Sequence, residues 1–359
     1  MPTATIAKDY GDTTFVTGMR AYAAVAVMVT HAGGAGLRDL GSIGQHLAEL
    51  GAQGVTVFFV ISGFSVAASA QRGESFSAYL FKRLARIAPL YYGWLFFAIV
   101  VSATAIEWQN KYGTTVNTYN IFMHLSFMSW CDYRIACTIL GVEWSIPIEV
   151  VWYLCIPYLL KQMSNGPRVL LAVAGSLASL AALAVIRWLL PLSAEDSAYA
   201  LHWSPFPHAT GFVMGIAAYR VRQWRRFSAA AGTVAALVVP VSILGWSCLA
   251  GLPSRTVTYL FFTGLSFGLI VYGEQGSGVF RRVFCNRGVL FIGTISYGIY
   301  LSHMPLLRLL PHQQLSHDFH PFVAFALLTT CSLGVSALTY LAIERPFGRL
   351  ARGLVERQP

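Results

Sequence analysis

The chain has 359 residues, 56% of them hydrophobic and only 11% charged, with a formal net charge of +10. A soluble domain carries about 25% charged residues, so this composition cannot cover a water-facing surface and excludes an ordinary globular protein. The apolar residues fall into runs of about 18–24, the length that crosses about 30 Å of hydrocarbon as a helix.

These runs predict an all-α polytopic membrane protein of about ten spans, at 16–33, 52–71, 86–105, 144–162, 168–190, 205–221, 230–250, 255–272, 290–310 and 321–344. The stretch 119–130 is too short to span and reads as re-entrant or interfacial. Residues 1–14 form an N-terminal segment, 15–350 the transmembrane domain and 351–359 a tail. Residues 15–36 also fit a signal peptide, with Arg20 ahead of an apolar core. Nine further spans argue that the first helix stays. The longest loop, 106–143, is polar and aromatic, and suits either a cap over a pocket or a plain structured loop.

Lys and Arg in the loops set orientation. With the N-terminus in the cytoplasm, 19 of the 25 fall in inner segments, among them Arg20, Arg83, Arg86, Arg222, Arg281 and Arg282. Both termini are therefore expected in the cytoplasm. The positive charge is topological and implies no nucleic-acid partner. Of the six cysteines, Cys155, Cys248 and Cys331 lie in spans and Cys285 in an inner loop. Cys131 and Cys137 share the outer loop, as one disulfide or as two thiols.

Ionisable groups within hydrocarbon are expensive and are functional candidates by default. Here they are Arg20, His31, Glu149, His303 and Glu344. Arg20 and His31 are eleven residues apart, about three turns, which puts them on one helix face roughly 16 Å apart along the axis. Arg20 also fits an arginine snorkelling to the inner headgroups. Arg83 and Arg86, expected at the inner mouth of the third span, form an i,i+3 pair. Paired guanidiniums suit phosphates, and positive-inside anchoring explains them equally. Glu149 lies about 7–8 Å below the outer start of its helix, at a depth similar to His31, where a carboxylate can orient an imidazole. His303 lies in the outer half of the ninth span, two residues before Pro305, a site for a kink. The polar residues show no metal-ligand spacing.

In this order the residues resemble the acyltransferase-3 family of membrane acyltransferases over about 15–350. The first helix has an arginine, ten residues and a histidine (Arg20, His31). The second has Gly54, Phe58, Phe59, Ser62, Gly63 and Phe64. Arg83, Arg86, Ile87 and Pro89 come next, then Trp144, Ser145 and Glu149. Ser296, Tyr297, Tyr300, Leu301, His303 and Pro305 form a further element, and Glu344, Pro346 and Phe347 close the series. Two departures, Tyr22 and Pro147, remove no chemically necessary group. No appended hydrolase-like domain is expected.

That family includes O-acetyltransferases of bacterial surface polysaccharides and acyltransferases of macrolide antibiotics. The resemblance implies transfer of an acyl group, most often acetyl, from cytoplasmic acetyl-CoA to a hydroxyl. The expected acceptor is a cell-surface saccharide or its lipid-linked precursor, at the bacterial inner membrane. A macrolide or other small metabolite is the alternative. His31 would be the general base or a transient acyl carrier. Glu149, His303 and Ser145 would orient it or polarise the acyl carbonyl, and Arg20, Arg83 and Arg86 would bind the donor. The rival reading is a proton-coupled transporter, against which no repeated halves are visible. A subunit that has lost activity is a third. Acyl-chain length, regiochemistry and oligomeric state are not readable.

Overall fold

The computed structural model describes residues 13–32, 34, 36–70, 75–224, 228–248, 254–273, 278–310 and 320–356. They are helical, without strands. In chain order the helices are α1 (Thr14–His31), α2 (Gly41–Leu50), α3 (Gly54–Ala70), α4 (Phe76–Val100), α5 (Ile106–Tyr112), α6 (Thr118–Leu125), α7 (Ser145–Gln162), α8 (Gly166–Leu189) and α9 (Ala194–His202). The chain continues with α10 (Ala209–Trp224), α11 (Ala229–Ser247), α12 (Arg255–Tyr272), α13 (Gly278–Phe284), α14 (Arg287–Thr294), α15 (Ser296–Leu309), α16 (Pro321–Thr339) and α17 (Arg345–Glu356).

A helix lies over each of the ten predicted stretches. Among the described residues, four runs are by themselves long and apolar enough to cross a membrane: Leu37–Ser69, Gly166–Leu189, Arg255–Tyr272 and Pro321–Val355. α14 and α15 together make a fifth, bent by 67°. The remainder are short or diluted by polar residues: α1 carries Arg20 and His31, and α4 carries Lys82, Arg83 and Arg86. α8 shows what lipid contact selects. Its Leu170, Leu171, Val185, Ile186, Trp188 and Leu189 all point outward, as suits a helix whose backbone bonds are satisfied internally in hydrocarbon. The chain is an integral membrane protein.

The chain divides into two compact units. The first comprises Met1–Ala68, Gly211–Tyr297 and His312–Thr330, and the second Ser69–Thr210, Gly298–Pro311 and Cys331–Pro359. Small residues knit the first unit. A Cβ on Gly18 would lie 2.0 Å from the Phe284 carbonyl oxygen, and one on Gly293 1.9 Å from that of Thr17. On α3, Gly54 approaches the Ala23 carbonyl and Gly63 that of Phe212, while Gly215 of α10 meets Val60. Without a hydrophobic drive between helices in lipid, such close approach gains dispersion contact.

The second unit holds α4 to α9 and the loops between them. Three boundaries differ from the sequence reading. α4 begins ten residues early because Ser75 caps it, its Oγ accepting from the Ala78 amide at 3.3 Å. Lys82, Arg83 and Arg86 therefore lie within α4. The ninth span breaks at Ile295, and α15 runs on through Pro305. The last helix does not stop at Glu344. It widens into a π-turn over Tyr340–Glu344 and continues to Glu356, well into the predicted tail. Such a wide turn rotates the faces of the helix beyond it, and Glu344 is buried.

In the second unit Trp108, Tyr112, Tyr133, Tyr199 and Trp203 pack around Ala136 and Cys137. Cys131 is exposed, Cys137 buried, and both are free thiols. Burial pushes the Cys137 thiol well up. Three cations here carry acidic partners: Lys111 with Glu195, Arg134 with Asp132 at 2.9 Å, and Arg308 with Glu107 at 2.6 Å. Burial raises the Asp132 carboxyl, but the Arg134 bonds outweigh it and leave the net shift downward.

Candidate active site

Arg20 and His31 belong to the first unit; Arg83, Arg86, Ser145, Glu149 and His303 belong to the second. In the first unit the Arg20 guanidinium donates to Ser65 Oγ at 3.0 Å, crossing from α1 to α3. His31 is the last residue of α1 and is exposed. It is the residue that the sequence reading expects to be the base.

In the second unit α7 carries the site. Its first turn tolerates Pro147, since N–H groups there have no intrahelical acceptor. Glu149 lies one turn in and is half-buried. Tyr153, one turn further along the same face, donates its hydroxyl to Glu149 Oε1 at 2.6 Å. The Arg83 guanidinium lies 5.8 Å from the centre of the Tyr153 ring and 5.6 Å from that of Tyr79, and it also donates to Ser69 Oγ. Arg83, Tyr153 and Glu149 thus form a continuous polar file. Arg86 is exposed on the next turn of α4, and its charge acts on the buried Glu344.

Ser145 and α15 meet at the N-terminal start of α7. Tyr300 donates its hydroxyl to the Val142 carbonyl at 2.7 Å, and Ser145 Oγ lies 2.8 Å from the same phenol oxygen. Tyr300 has one hydrogen and has spent it, so Ser145 must donate to Tyr300. The serine hydroxyl is therefore committed in this state and polarises an acyl carbonyl only after rotating. His303 is buried, with Nδ1 3.1 Å from the Ile299 carbonyl and its ring 6.0 Å from that of Tyr300. The carbonyl can only accept, so Nδ1 carries the hydrogen and Nε2 is the basic atom.

Comparison with known proteins fits this arrangement. The acyltransferase-3 family model, described as an acyltransferase domain, matches residues 13–341. The chain belongs to the acyltransferase-3 family. It is 24% identical over 357 residues to acyltransferase MdmB of Streptomyces mycarofaciens, covering 95% of this chain and 90% of that protein. It is 27% identical over 268 residues to "Putative acetyltransferase ORF330" of Acidianus two-tailed virus, covering 72% of this chain and 73% of the relative. No solved structure matches. The chain is an O-acyltransferase, and the transporter reading gives way.

The contacts of two residues of this acyltransferase escape a motif-by-motif reading of the sequence. Tyr153 had a signal, since a tyrosine four residues after a buried glutamate shares its face. Tyr300 belongs to the Ser-Tyr-x-x-Tyr element, but its bonds to Val142 and Ser145 span more than 150 residues and have no local signature. Among the described residues no group of three His, Cys, Asp or Glu side chains is arranged to hold a metal.

Proposed function

We propose that this acyltransferase moves an acetyl group from cytoplasmic acetyl-CoA to a hydroxyl of a cell-surface saccharide or its lipid-linked precursor. It does so in the bacterial inner membrane, with both termini in the cytoplasm. The observation that carries this reading is the file Arg83–Tyr153–Glu149. It sets a guanidinium suited to phosphate over the ring of a tyrosine whose hydroxyl holds a carboxylate suited to proton chemistry. Arg86, exposed beside it, supplies a second cation for the polyanionic donor. The aromatic outer loops support a saccharide acceptor, because Trp108, Tyr112, Tyr133 and Tyr199 remain half-buried and combine apolar ring faces with polar edges.

His31 takes the acceptor hydroxyl proton as the hydroxyl oxygen attacks the thioester carbonyl. The carbon–sulfur bond breaks, CoA leaves as thiolate, and the proton returns to sulfur. Within the second unit, Glu149 holds the Tyr153 hydroxyl, and His303 with Ser145 orients the acyl group. A general base contributes about 10²–10⁴-fold in rate. His31→Gln keeps an amide but takes up no proton, so it should be nearly as inactive as His31→Ala, with acetyl-CoA binding and thermal stability unchanged. Turnover of His31→Gln above about a tenth of wild type would remove the base assignment. Radiolabelled acetyl-CoA with lipid-linked saccharide and with macrolide acceptors, in parallel, decides the acceptor class.

A further inference from the structure

A second histidine–carboxylate pair lies outside the motifs, in the outer part of the second unit. His124 of α6 and Glu143, two residues before Ser145, have fully buried side chains, with Nε2 3.5 Å from Oε1. His124 Nδ1 lies 2.9 Å from the Asn120 carbonyl, which can only accept, so Nδ1 carries a hydrogen. Nε2 therefore confronts a carboxylate oxygen. The 3.5 Å separation is an ion-pair distance, and neither His124 Nε2 nor Glu143 Oε2 has a hydrogen-bond partner among the described residues.

Glu143 is tied to the turn that starts α7. Its Oε1 accepts the Ile139 amide at 2.7 Å. Within that turn the Leu140 carbonyl accepts from Arg308 at 2.7 Å, and the Val142 carbonyl accepts from Tyr300 at 2.7 Å. Gly141 sits at φ +89, a conformation that favours glycine, and a Cβ there would lie 2.6 Å from Arg308 Nη2. Tyr300 in turn receives Ser145. Phe127, three residues after His124, holds φ +57 and stacks on Tyr91 at 5.3 Å between ring centres. A non-glycine residue kept in that region persists only where its surroundings over-determine it.

We propose that His124 and Glu143 are positioning residues for the acyl transfer. Through the 139–145 turn they fix Tyr300 and hence the Ser145 hydroxyl at the outer end of α7. The inference rests on the reading that Ser145 and Glu149 line the reaction site.

Asparagine and glutamine separate the two edges of the imidazole. His124→Asn puts an amide near Nδ1 and keeps the Asn120 contact. His124→Gln puts one near Nε2 and keeps a donor facing Glu143. Turnover of the full chain in nanodiscs is read as CoA thiol released from acetyl-CoA, with the lipid-linked saccharide fraction of the source membrane as acceptor. His124→Gln should keep most of kcat. His124→Asn should fall about tenfold or more below it, the scale of leaving a buried charged group without its partner, with KM for acetyl-CoA unchanged. The double variant His124→Asn with Tyr300→Phe should be no slower than the worse single, because the two act along one chain. Asn equal to Gln, a multiplicative double variant, or unfolding of both His124 variants in a thermal melt would each overturn the proposal. Ser145→Ala and Glu149→Gln are the controls. If both match wild type, the site reading has failed; if both are impaired while the His124 variants are indifferent, only this inference has.

Discussion

Tyr153→Phe isolates the hydrogen bond on which the polar file depends. The substitution deletes one oxygen from a side chain that is 4% exposed and keeps the ring. The Arg83 guanidinium still has a ring face to lie over, and Tyr79 still donates to the Tyr153 backbone carbonyl at 3.2 Å. Only the 2.6 Å bond to Glu149 Oε1 disappears. Hydrogen bonds to charged groups are worth about 1.5–3 kcal/mol, which translates to roughly 10–150-fold in rate if the bond matters only in the transition state. Glu149 is half-buried, so water replaces part of the loss, and the lower end of that range applies. We expect kcat to fall about tenfold, with a KM for acetyl-CoA close to wild type. The assay is steady-state turnover in nanodiscs, with a thermal melt to establish folding. A folded Tyr153→Phe with kcat within about threefold of wild type would refute the reasoning. A rise in KM alone would reassign Tyr153 to the donor site through its contact with Arg83.

Replacing both Arg83 and Arg86 with Gln should raise KM for acetyl-CoA about tenfold or more, since each charge-assisted bond to phosphate is worth about 1.5–3 kcal/mol; an unchanged KM at normal expression would return them to topology. Gly215→Ala should lower the melting temperature sharply, because its Cβ would lie 2.2 Å from the Val60 carbonyl oxygen, whereas Gly175→Ala on α8 meets nothing within 4 Å. The latter should be neutral or gain about 0.5–1 kcal/mol from reduced chain entropy; equal melting temperatures would contradict the packing described. With native cysteines removed, a cysteine at the exposed Arg282 should react only with membrane-permeant thiol reagents and one at the exposed Asn110 with impermeant ones. The reverse pattern would invert the orientation. Arg222, an inner cation by sequence, does not serve this test, because it is buried between the Phe15 and Phe64 rings.

The sequence alone determined the class of protein and the family. Membrane residence comes from charge scarcity and run length, both of which act on whole segments and need no contact to be known. The six ordered motifs identified the acyltransferase. Tertiary structure decided what those residues touch. Ser145 is committed to Tyr300, Glu143 meets His124, and Arg83 reaches the middle of α7 because Ser75 starts α4 early. It also moved the break in the ninth span from Pro305 to Ile295, where Gly293 is pinned against the Thr17 backbone. None of these is periodic. Each joins atoms brought together only by the packing of separate helices and turns. The sequence therefore names the groups that can do the chemistry, and the fold decides which proton each one holds.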